Sequence, residues 1–124
     1  MADRQGFSIV ARAKSFGYAL AGLAFMLRTQ HNAWVHLAAT FAACVAGFAL
    51  HITAEDWRWL VVAIVMVWIA EALNTAFEHL CDVVSPDFHI AVKRSKDIAA
   101  GAVLICAVGA VVIGTMVFWP YVVG

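Results

Sequence analysis

Residues 60–70 run without a single polar side chain, and the next residue is Glu71. That junction constrains the fold more than any other feature of the chain. A carboxylate continuing so apolar a helix costs on the order of 3 kcal/mol in hydrocarbon, which makes it a functional-site candidate. Asn74, Glu78 and Asp82 follow at helical spacing. At about 100° per residue the four side chains fall within an arc of roughly 80°. One helix therefore carries an apolar stretch and then a polar stripe.

The rest of the chain fits that helix into a membrane. With 65% apolar and 13% charged residues, a chain of 124 has more apolar surface than a water-soluble core of this size hides. The length suits one domain, residues 1–124. Three segments, 33–50, 57–84 and 98–122, are long enough for crossings of roughly 20 residues each. The second exceeds a span, so Glu78 and Asp82 are expected at the interface. Residues 1–30 mix Arg12, Lys14 and Arg28 with Phe7, Ile9, Val10, Phe16, Leu20, Leu23 and Phe25. That composition suits an amphipathic helix lying on the membrane surface, with a buried N-terminal helix as the alternative. The fold class expected is an all-α integral membrane protein, a surface helix plus three transmembrane helices.

Charge sets the expected orientation. Arg4, Arg12, Lys14, Arg28, Lys93, Arg94 and Lys96 precede the first span or separate the second from the third; only Arg58 lies in the other connection. The N-terminus and residues 85–96 are therefore placed in the cytoplasm and the C-terminus outside. Trp57, Trp59, Trp119 and Tyr121 fall near the outer boundary, where amphipathic rings prefer to sit. Ser85 and Pro86 supply the strong turn signal. The N-terminus lacks the order of a secretory signal. Zero net charge and no basic stripe argue against nucleic acid. Cys44, Cys81 and Cys106 sit in apolar segments and read as small hydrophobes.

The polar stripe and the basic residues meet on the side where ATP is found. Glu78 and Asp82 offer hard oxygen ligands for Mg²⁺, which takes one or two carboxylates plus substrate phosphates. Lys93, Arg94 and Lys96 suit phosphate neutralisation, and Asp97 suits orientation of a lysine or a nucleotide hydroxyl. Glu71, about 10 Å of helix deeper than Glu78, suits a general base acting on an alcohol. The set fits phosphoryl transfer to a hydroxyl held at the membrane surface. Plainer readings stand beside it: Glu71 and Asn74 as interhelical hydrogen-bonders, and the basic residues as topology determinants alone. His31, His36, His79 and His89 match no zinc spacing with Cys81 and read as interfacial hydrogen-bonders. Gly101 and Gly109, each followed by alanine, read as sites of close helix packing.

The stripe from Glu71 to Asp82, a short loop, and then Lys96 and Asp97 followed by small residues closely resemble the signature of the prokaryotic diacylglycerol kinase family, which includes undecaprenol kinases. The resemblance covers most of the chain, including the region of Gly17, Tyr18, Gly22 and Leu23. It implies a homotrimer with active sites shared between subunits, ATP as co-substrate, Mg²⁺, and a lipid alcohol substrate in the bacterial cytoplasmic membrane. By position it implies Glu71 as catalytic base, Asn74 as the neighbouring amide and Glu78 as a Mg²⁺ ligand. Lys96 and Asp97 correspond to a nucleotide-contacting pair, Asp87 and His89 to a loop that touches the nucleotide, and Tyr18 to a nucleotide-site tyrosine.

Two positions depart from the family pattern. Gln30, with His31 beside it, stands where a second metal-ligating Glu is common, and Ala11, next to Arg12, stands where the diacylglycerol branch has an arginine. The wording of residues 74–79 and 96–102 leans toward the undecaprenol branch, with diacylglycerol close behind. Two readings from other classes compete: a small proton-coupled multispan transporter using Glu71, and a structural membrane subunit. A Gln amide coordinates Mg²⁺ through its carbonyl but adds no charge. Gln30→Glu is therefore expected to lower the Mg²⁺ concentration needed for half-maximal activity, read from a Mg²⁺ titration at fixed ATP.

Overall fold

A computed structural model describes residues 6–124; Arg4 and the remainder of residues 1–5, including the start of the expected surface segment, lie outside the described residues. Four helices follow one another: α1 (Ile9–Thr29), α2 (His31–Ala49), α3 (Ala54–Val84) and α4 (Ile90–Val123). Ser8 starts α1 by accepting the Ala11 N–H at 3.3 Å. Gln30, in extended conformation, is the whole of the break between α1 and α2.

Helices α2, α3 and α4 are long and apolar enough to cross a membrane. Their 19, 31 and 34 residues correspond to about 28, 46 and 51 Å at 1.5 Å per residue, against a hydrocarbon layer of roughly 30 Å. Both long helices must project from the layer. Measured from Trp57, Glu71 lies about 21 Å along α3 and Glu78 about 32 Å. Phe41, Phe48, Val62, Ile69, Ile105 and Val112 point outward from the chain, surface that lipid or further subunits cover.

Helices α3 and α4 form the main pair, α2 packs on α3, and α1 touches α2 and α3. The α3–α4 pair is antiparallel, pinned at each end by a polar contact. At one end the Tyr121 hydroxyl donates to Asp56 Oδ2 at 2.6 Å and accepts the Thr53 N–H at 3.1 Å. Thr53 itself caps α3 by accepting the Asp56 N–H at 3.1 Å, and Glu55 and Asp56 complement the positive end of the helix. Ile52, Leu60 and Val117 form a small core beside this clasp. At the other end Lys96 meets Asp82.

The α2–α3 connection is a Schellman turn. His51 takes a left-handed φ of 51°; its N–H reaches the Phe48 carbonyl at 3.3 Å, and the Ile52 N–H reaches the Gly47 carbonyl at 3.2 Å. Ile52 and Trp57 then fold over Gly47, leaving no room there for a side chain.

One expectation needs correction: helix α4 begins at Ile90, ahead of the 98–122 expected for the third span, so Lys93, Arg94, Lys96 and Asp97 are helical rather than part of a loop. His89 caps this start by accepting the Ala91 N–H on Nδ1 at 3.1 Å, and the Lys93–Asp97 pair at 2.7 Å supports the following turn. Of the two glycines read as close-packing sites, Gly109 sits against Met66, and within the chain nothing lies within 4 Å of an added Cβ at Gly101.

An added Cβ at Gly47 would sit 2.7 Å from the Trp57 ring. Gly47→Ala is expected to destabilise the chain by about 1–3 kcal/mol through overpacking, read as a lower thermal midpoint in detergent.

Candidate active site

The polar stripe forms as its spacing dictates. Glu71 is 1% exposed, Asn74 8% and Thr75 5%, while Glu78 is half-buried and Asp82 exposed. The stripe thus passes from a buried carboxylate to a solvated one over three turns of α3.

Glu71 takes its hydrogen bond from α2. His36 Nε2 lies 3.2 Å from Glu71 Oε2, and the imidazole is 13% exposed. Trp68, one turn before Glu71, donates its indole N–H to Thr40 Oγ at 2.9 Å. Thr40, one turn after His36, donates to the His36 carbonyl at 2.7 Å. The indole also meets the imidazole edge-on, with centroids 6.2 Å apart. Asn74 Oδ1 and Thr75 Oγ, by contrast, are buried without a hydrogen-bond partner. Buried polar atoms are nearly always satisfied, so this stretch of α3 is prepared for a group that the isolated chain lacks.

On α4, the residues expected to contact nucleotide pair with carboxylates. Lys96 Nζ donates to Asp82 Oδ1 at 2.6 Å, and Lys93 Nζ donates to Asp97 Oδ2 at 2.7 Å. Lys96 and Asp97, neighbours in sequence, hold different partners. The bond to Asp82 raises the Lys96 ammonium above the ordinary lysine value, with smaller contributions from the charges of Asp82 and Glu78 against some desolvation. In the intervening loop Asp87 is exposed, and its carbonyl accepts the Ser85 hydroxyl at 3.1 Å; His89 serves as the α4 cap.

Tyr18 is exposed on α1 and lines a cavity of about 480 Å³ with Thr75 and His79 of α3. Gln30 sits at the α1–α2 break beside Arg28, His31 and Trp34, and its side chain makes no capping bond. Among the described residues no three His, Cys, Asp or Glu side chains gather into a metal cage. An apolar groove of about 950 Å³ between α3 and α4 runs from Val61 to Phe77 and reaches Asn74. His36 is the participant that sequence reasoning did not place. The signal for it was available: a buried carboxylate needs a donor, and α2 offers few.

Residues 17–118 match the family model described as prokaryotic diacylglycerol kinase. A relative from Bacillus subtilis (strain 168), an undecaprenol kinase, is 36% identical over 86% of this chain and 87% of its own length. A diacylglycerol kinase from Synechocystis is 38% identical over 86% of this chain, which spans only 61% of that relative. A diacylglycerol kinase from Escherichia coli (strain K12) is 29% identical over 87% of this chain and 88% of its own length.

The sign of the Lys96 effect follows from its direction. An ammonium held above its ordinary value stabilises the fold fully below that value, and the contribution is lost as pH rises through the raised one. With Asp82 65% exposed the pair contributes little to stability at neutral pH. Asp82→Asn is expected to return Lys96 toward the ordinary lysine range, read by NMR titration of ¹³C-methylated lysines at alkaline pH.

Proposed function

The chain belongs to the prokaryotic diacylglycerol kinase family, and from that premise we propose that this lipid kinase transfers the γ-phosphate of Mg-ATP to the primary hydroxyl of a membrane lipid alcohol. Undecaprenol is the first acceptor and diacylglycerol the second. The observation that carries this reading is a carboxylate 1% exposed on the same helical face as Glu78, which lies about 10 Å nearer the polar end.

Glu71 accepts the proton of the lipid hydroxyl as its oxygen bonds to the γ-phosphorus. The bond from that phosphorus to the β–γ bridging oxygen breaks, and its electron pair leaves with ADP. Asn74, one turn after Glu71 on the same face, orients the hydroxyl by donating its amide N–H to the hydroxyl oxygen. Lys96 exchanges Asp82 for a phosphate oxygen, and Lys93 and Arg94 add positive charge nearby, since such transfers depend mainly on positioning and charge neutralisation. Asp97, Asp87, His89 and Tyr18 line the nucleotide's path.

Glu78 suits Mg²⁺ in the manner of a cation carried on phosphates, with one carboxylate from the protein and the remaining ligands from ATP and water. The Gln30 side-chain carbonyl is the further candidate ligand. When bound, Mg²⁺ offsets charge on the phosphates.

The lean toward undecaprenol rests on residues 74–79 and 96–102; identity does not separate the two acceptors, at 36% to the undecaprenol kinase and 38% to the Synechocystis diacylglycerol kinase. The enzyme works in the bacterial cytoplasmic membrane as a homotrimer with shared sites, α1 on the membrane surface and the C-terminus outside. The outward apolar faces of α2, α3 and α4 support such an assembly.

Purified protein in mixed micelles, offered γ-labelled ATP, Mg²⁺ and each lipid in parallel, is expected to label undecaprenol more than diacylglycerol. Glu71→Gln should abolish labelling with the oligomer intact, and Glu78→Gln should chiefly raise the Mg-ATP requirement. No label in any lipid from a folded oligomer overturns the reading and leaves proton-coupled transport through Glu71.

A further inference from the structure

We infer that His36 is a positioning residue for Glu71: its imidazole holds one carboxylate oxygen so that the other receives the substrate proton. The inference rests on the general-base role given to Glu71 above.

Glu71 is 1% exposed, and His36 Nε2 at 3.2 Å from Oε2 is its one hydrogen-bonding side-chain partner among the described residues. A carboxylate acting as base is ionised and accepts, so the Nε2–H donates. The bond occupies Oε2, and the hydroxyl proton passes to Oε1. A Glu side chain has three rotatable bonds, and a single fixed donor removes most of the freedom that would let it turn from its substrate.

The imidazole is itself held. Trp68 meets its edge, and the indole donates to Thr40, whose hydroxyl donates to the His36 carbonyl. This second bridge joins α2 to α3 within one turn of the pair on each helix. The helices are therefore fastened without His36, so the histidine is not needed merely to bring them together. What it adds is a directed N–H at the carboxylate.

The test uses the full-length protein in mixed micelles with whichever lipid the wild type accepts. His36→Ala is expected to lower kcat on the order of 100-fold while KM for Mg-ATP stays within about twofold, the pattern of a misplaced base rather than lost binding. His36→Gln returns an N–H donor to nearly the same reach and should restore most of the loss. A second readout needs no turnover. The Glu71 carboxylate stretch, identified in infrared difference spectra by its loss in Glu71→Gln, should shift in His36→Ala and move back in His36→Gln.

Wild-type kcat in folded His36→Ala, or an unmoved carboxylate band, overturns the inference. Equal loss in the Ala and Gln variants also overturns it, since packing alone would then explain the effect. If the wild type phosphorylates no lipid, the general-base role fails, and the carboxylate band still decides whether His36 holds Glu71.

Discussion

Keeping an ionisable carboxylate between apolar helices is the constraint on which the arrangement depends. A bare carboxylate moved out of water costs several kcal/mol unless hydrogen bonds replace its lost solvation. Glu71 stays buried because α2 delivers His36 to it. That delivery depends on the tight turn at residues 50–53, on the left-handed His51 that closes it, and on the Trp68–Thr40 bridge one turn away. The polar interior contact and the apolar exterior are thus two aspects of one solution: the buried carboxylate between apolar helices is answered from within.

Helix length then carries the chemistry outward. At 31 residues α3 outruns the hydrocarbon layer, so its stripe emerges through Glu78 to Asp82. Helix α4, capped by His89, returns after a short connection and sets Lys96 on Asp82. The far end is fixed as firmly, with Tyr121 clasping the start of α3. Pinned at both ends, the pair holds the deep carboxylate and the solvated lysines on one rigid frame.

Much of this was legible in the sequence, for reasons that differ by residue. The stripe at 71, 74, 78 and 82 follows from helical periodicity alone, and the stop at Val84 from Ser85 and Pro86. The start of α4 was misplaced because Lys93, Arg94, Lys96 and Asp97 are polar and resemble a loop. What keeps them helical is a histidine cap and a pair four residues apart, features weaker in composition than in geometry. His36 was seen only as one of several histidines. Its partner is 35 residues away, and such a contact depends on how two helices cross, which no local pattern encodes. Gly101 and Gly109 look alike in sequence, yet only the second faces a neighbouring side chain.

The pairing of the α4 lysines bears on how an anion is met. Lys96 and Lys93 each already hold a carboxylate. These two lysines therefore add little far-reaching attraction for a polyphosphate, because opposite charges a few ångströms apart cancel beyond about a Debye length. In the role proposed for Lys96, a phosphate oxygen displaces Asp82, so this pair acts only over the last few ångströms and its selectivity resides in the exchange of counter-ions rather than in the approach.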